Sequence, residues 1–164
     1  MSDVVDTAGT ATKPASEIER AEIAIVDHLK ARLGASVRIE AQPDDPERFD
    51  FAGASSAVLV HFAQSTPSAG NRVKLAGAVG FAVIVLSRSL RGQGGGYRLL
   101  ENVEQALAGA DVPGLREVRV KRSRLDMQSG GTWRWVVEIE TELMRGRVPS
   151  FAQPFVTGFE ERAS

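Results

Sequence analysis

The chain has 164 residues, of which 43% are hydrophobic and 25% charged, the size and balance of one globular domain with a real core. A net charge of -1 excludes a global electrostatic bias toward nucleic acid or an anionic membrane, and the lack of cysteine excludes disulfides and thiolate metal sites. The longest apolar run, Ala76 to Leu86, contains Gly77 and Gly80 and falls far short of the roughly 20 residues of a membrane helix, and the acidic start Met-Ser-Asp-Val-Val-Asp has no basic region of a signal peptide.

Residues 1–14 are small and polar and read as a flexible N-terminal arm. Residues 15–146 read as a single α+β domain, and 147–164 as an extended C-terminal tail. Ser16 with Glu19 forms a capping-box pattern, so the first helix starts there. Ile18, Ala21, Ile25, Leu29 and Leu33 give its apolar stripe, flanked by Ile23 and Val26, and Gly34 stops it. Short strands are expected at Val37–Glu40 and Ser56–Gln64, separated by an acidic, proline-bearing loop. A long strand over Val73–Ser87, bent or bulged at Gly77 or Gly80, leads through Gly92–Gly96 into a helix over Tyr97–Leu107 that ends at Gly109.

Two alternating segments follow. Leu115–Arg122 sets Val118 and Val120 against Arg119 and Lys121. Thr132–Leu143 sets Trp133, Trp135, Val137, Ile139, Thr141 and Leu143 on one face and Arg134, Val136, Glu138, Glu140 and Glu142 on the other. The glycines after Ser129 suit a hairpin between them. The order α-β-β-β-α-β-β predicts a mostly antiparallel sheet with both helices on one face.

Candidate chemistry is sparse. Gly92 and Gly94 fit the first two positions of a dinucleotide fingerprint, but Tyr97 stands at the third and no Gly-Lys-Ser/Thr follows, so the loop reads as a strand-to-helix turn. The basic run Arg116–Arg124 offers phosphate contacts, yet a hairpin would place Arg119 and Lys121 across from Glu138, Glu140 and Glu142. His28 and His61 show no metal spacing and pair with no particular serine. Asp44, Asp45 and Glu47 read as solvated loop acids rather than a cation site, and Trp133 and Trp135 as core and interface packing. No catalytic, cofactor-binding or metal-binding residue is assigned, and the chain is not expected to be an enzyme.

The helix Ile18-Glu-Arg-Ala-Glu-Ile-Ala-Ile-Val-Asp-His-Leu-Lys30, the strand Ala57-Val-Leu-Val-His-Phe62, the segment Phe81-Ala-Val-Ile-Val-Leu-Ser-Arg-Ser-Leu-Arg91 and the helix entry Gly95-Gly-Tyr-Arg-Leu-Leu carry a resemblance. Over about residues 16 to 145 the chain resembles the tail terminator (tail-completion) proteins of Mu-like phages and prophages. The resemblance implies a small antiparallel sheet flanked by helices. It also implies a homo-hexameric ring at the head-proximal end of a contractile tail, where it stops tube and sheath polymerisation and joins the tail to the head connector. The implied partners are further copies of the chain, tube and sheath proteins and connector proteins. No membrane or specific nucleic-acid partner is implied, although DNA passes through such a ring. The implied location is the host cytoplasm during assembly and then the virion neck. Arg88, Arg91 and Tyr97 beside the glycine loop are expected to contact a neighbouring subunit or ring, and Phe151, Phe155 and Phe159 to dock on a partner. Another neck or baseplate component, or a small-ligand or nucleotide-binding module using Gly92–Gly96, remain the alternatives.

Overall fold

The computed structural model describes residues 16–45, 49–51, 53–66 and 77–144. The expected arm and the whole of the expected tail, with Phe151, Phe155 and Phe159, lie outside the described residues. Ser16 caps helix α1 (Glu17–Leu33) as the sequence predicts: the Glu19 amide donates to Ser16 Oγ at 3.1 Å, and the Ser16 amide donates to the Glu19 carboxylate at 2.8 Å. Ala21, Ile25, Val26 and Leu29 are buried, and Gly34 at φ 76° ends the helix.

Strands β1 (Arg38–Ala41), β2 (Ser56–Thr66) and β3 (Ala78–Ser87) come next. Helix α2 (Gly96–Leu107) follows, then strands β4 (Arg119–Ser129) and β5 (Thr132–Glu142). The sheet order is β1-β2-β3-β5-β4, antiparallel except for the parallel β1–β2 pair. This is the α+β class expected from the sequence. The direction of β1 was not legible there, because a four-residue strand carries no sign of which way it pairs.

Alternation along β2, β3 and β5 puts Val58, Val60, Val79, Phe81, Val83, Val85, Trp135, Val137 and Ile139 on one face, where α1 and α2 cover them in the main core. Among the described residues no helix covers the opposite face. It carries a small apolar cluster, Leu59, Ala82, Ile84 and Val136, against which Phe49 and Leu86 pack. His28 Nε2 donates to the Ala106 carbonyl at 2.7 Å and ties α1 to α2.

Two details differ from the sequence reading. The irregularity expected near Gly80 lies on its partner: Ala63 of β2 is skipped between the pairs Phe62–Phe81 and Gln64–Gly80. The strand expected at Leu115–Arg122 begins at Arg119 and runs on to Ser129, turning through Gly130 and Gly131, both at positive φ. The segment before it is still tied to the end of β5, because the Met144 amide donates to the Gly114 carbonyl at 2.8 Å and the Arg116 amide to the Glu142 carbonyl at 2.9 Å. β4 is an edge strand, interrupted at Lys121 and Asp126, and such bulges and charges protect an edge from adventitious pairing. Among the described residues no helix is long and apolar enough to cross a membrane.

Candidate functional site

The turn from β3 into α2 is built by its own backbone. The Gly96 amide donates to the Ser89 carbonyl at 2.8 Å, and the Tyr97 amide to the Leu90 carbonyl at 3.0 Å. Ser87, fully buried, donates through Oγ to the Ser89 carbonyl at 2.8 Å. The first two amides of α2, which a phosphate would need, are therefore already used. Two glycines have steric reasons. A Cβ on Gly95 would lie 2.4 Å from the Arg91 carbonyl oxygen, and one on Gly96 would lie 2.3 Å from the Trp135 ring. The pocket beside the loop holds about 170 Å³, below the roughly 300–1,000 Å³ of ligand sites. Gly95 and Gly96 serve close packing and Gly92 takes a positive φ of 91°, so the segment forms a strand-to-helix turn.

That packing creates an aromatic ledge. The Arg91 guanidinium sits 5.9 Å from the Tyr97 ring centre. Tyr97 meets Trp135 edge-on at 6.2 Å, and Trp135 stacks with Trp133 at 6.4 Å. Trp135 is buried, whereas Tyr97 is 46% exposed and Leu125 54% exposed. Leu125 pairs with Trp135 across β4 and β5, so it shares the face of the ledge. Of the three loop residues singled out from the sequence, Arg91 and Tyr97 come together here. Arg88 does not join them: its guanidinium lies 5.0 Å from the Phe51 ring, on the 49–55 segment. Trp133 and Leu125 complete the ledge. The sequence would have shown Leu125 only if β4 had been extended into register with Trp135, and the surrounding Ser, Arg and Asp obscured that.

The helix-free face is electrically ordered. Arg116 pairs with Glu142 at 3.2 Å, Arg119 with Glu140 at 3.0 Å, and Arg122 with Glu138 at 2.6 Å. Arg124 and Arg134 both reach Asp126, at 2.7 and 3.0 Å. The cross-strand pairing expected for the basic run is present, but the bulge at Lys121 puts Arg122 rather than Lys121 opposite Glu138. Hydrogen bonding to Arg122 holds the Glu138 carboxyl below the usual carboxylate range, and this run is committed to carboxylates rather than left for phosphate.

His61 sits on the same face, half-buried, and burial with the nearby Arg134 charge lowers its pKa. A histidine depressed in the folded state stabilises fully above its unfolded value of about 6.5, and that contribution is lost as pH falls toward the lower folded value. His61→Asn should flatten the loss of Tm between about pH 7 and pH 5 relative to the parent chain, read by thermal melts across that range. Equal slopes would refute this. Among the described residues no cluster of three or more His, Asp or Glu could hold a metal ion.

A family model described as Gp37 protein matches residues 25–148, about three-quarters of the chain. This chain belongs to the Gp37 protein family. The match spans the second half of α1, the whole sheet and α2, so the glycine turn, the ledge and the ion-paired face all lie within the Gp37 region. No curated protein matches the chain. Among solved structures, this Gp37 protein is similar to a chain from a structure titled "Virion of native gene transfer agent (GTA) particle", with a TM-score of 0.51 and 18% identity. The match covers 74% of this chain and 92% of that chain, and at this identity it establishes a shared fold.

Proposed function

We propose that this Gp37 protein is a structural component of a phage-like particle, and that within it the chain acts as a tail terminator. In that role a homo-hexameric ring caps the head-proximal end of a contractile tail, stops tube and sheath polymerisation and presents a surface to the head connector. The observation that carries the reading is the shared fold, which takes in 92% of a chain belonging to a gene transfer agent virion. A match so nearly complete on that side favours a common architectural role over a borrowed ligand module. Assembly takes place in the host cytoplasm, and the finished location is the virion neck.

The ledge supports a contact between subunits. It joins exposed aromatic and aliphatic surface to a cation, the composition of interface anchors, with Arg91 beside the Tyr97 ring. Heterologous contacts of this kind close into a ring when the rotation between neighbours closes. The nucleotide-binding alternative loses support, because the first two α2 amides are already used and the space beside the loop is small.

Arg91→Glu with Tyr97→Ala should abolish ring formation, alone or on purified tail tubes, while leaving the melting temperature within a few degrees of the parent. Electron microscopy and light scattering read the first effect and calorimetry the second. Unchanged rings would refute the ledge as the subunit contact. Rings found at the distal end of the tail would instead favour a baseplate component.

A further inference from the structure

We infer that the ledge of one copy inserts Tyr97 into a pocket at the far end of a second copy, lined by Pro113, Leu143 and Met144. The pocket holds about 260 Å³, and Leu115, Glu17 and Arg20 also face it. Pro113 and Met144 are exposed and Leu143 is half-buried, so this apolar lining is open to a partner. The volume is below the roughly 300–1,000 Å³ of ligand sites and suits a single protruding side chain. Tyr97, 46% exposed, is such a side chain.

Position selects a second copy as the partner. Trp135, against which Tyr97 packs, lies eight residues before Leu143, about 26 Å along the strand. Tyr97 and the pocket therefore sit at opposite ends of the sheet and cannot meet within one folded chain. A surface feature that fits a pocket elsewhere on the same molecule makes a heterologous contact, the kind from which rings are built.

Charge selects the same pairing. Two ledges face to face would set Arg91 against Arg91, a like-charge contact that opposes binding. The pocket instead presents the first turn of α1, with its acids Glu17 and Glu19. Arg91 lies 5.9 Å from the Tyr97 ring and arrives with it beside those carboxylates, which outnumber Arg20. Met144 contributes a flexible thioether that adapts to an entering ring and makes a favourable sulfur–aromatic contact. The inference rests on the reading of the ledge as a subunit contact and names the surface that the ledge meets.

The chain has no cysteine, so an introduced pair reports on one contact alone. Arg98→Cys lies beside Tyr97 on an exposed position of α2, and Arg20→Cys lies at the pocket. Full-length chains carrying one each, mixed with purified tail tubes and a short bis-maleimide, should cross-link to each other, and neither variant to itself. Adding Tyr97→Ala to the first chain, or Met144→Asp to the second, should cut the cross-linked yield by about tenfold. Both positions are exposed, so Tm should stay within a few degrees of the parent. Rings that form without this cross-link overturn the inference and leave the ring reading standing. Arg98→Cys chains that cross-link to one another overturn it in favour of ledge against ledge. Cross-linked open chains without rings support the inference and count against the terminator reading, and the absence of both rings and cross-links overturns the two together.

Discussion

Phe81→Ala should destabilise the fold by about 3–5 kcal/mol, lowering Tm by about 10 °C or more. Phe81 is 1% exposed, sits in the centre of β3 on the helix-covered face, and meets Phe62 edge-on at 5.9 Å. Its flanking partners across the sheet are Phe62 on β2 and Ile139 on β5, and the main core from α1 and α2 closes over that face. Strand backbones on both sides are locked in a hydrogen-bonded ladder, so the surroundings cannot collapse into the space left by the ring, and the cavity cost adds to the lost burial. Phe81→Leu, which keeps most of the volume, should cost markedly less. Denaturant melts of the two variants side by side test this. Equal losses would mean that the site relaxes freely and that the core is not as tightly held as this packing implies.

Gly96→Val should be strongly damaging at the turn, costing about 1–3 kcal/mol or more. Helix propensity alone gives no warning, because glycine is itself a poor helix former. The cost comes from the Trp135 ring, which a Cβ at this position would approach to 2.3 Å. Trp135 is 5% exposed and held between Tyr97 and Trp133. Gly94→Ala is the control: nothing lies within 4 Å of a Cβ there, so stability should stay close to that of the parent chain. The Gly96 variant should also show a shifted tryptophan emission while secondary structure is kept. If Gly96 and Gly94 variants melt together, the close approach of helix and ring does not govern this turn.

How much of this was legible in the sequence follows from how local each signal is. The α1 capping box spans four residues, and the β5 alternation sits in one strand with one face buried, so both could be read directly. β4 was truncated because an edge strand buries little, and the exposure of Leu125 and Met127 breaks the alternation that marks a strand. The grouping of Arg88 with Arg91 and Tyr97 failed for a different reason. The three are close in sequence, but the chain bends between Ser87 and Gly96, sending Arg88 toward Phe51 and Arg91 toward Tyr97. The ledge itself joins a loop, a helix and two strands, and no spacing rule links Tyr97 to Leu125. Gly95 and Gly96 are held by close packing, and Arg119 and Arg122 of the basic run lie against carboxylates.

The central claim is that this Gp37 protein ends a tail by capping it. The most direct test is to polymerise tail tube protein with and without the chain and to image the products by electron microscopy. The account predicts tubes of bounded length, each carrying a ring of this protein at one end, and no further growth when fresh tube protein is added. Tubes that keep growing in its presence, with no ring at either end, would contradict it.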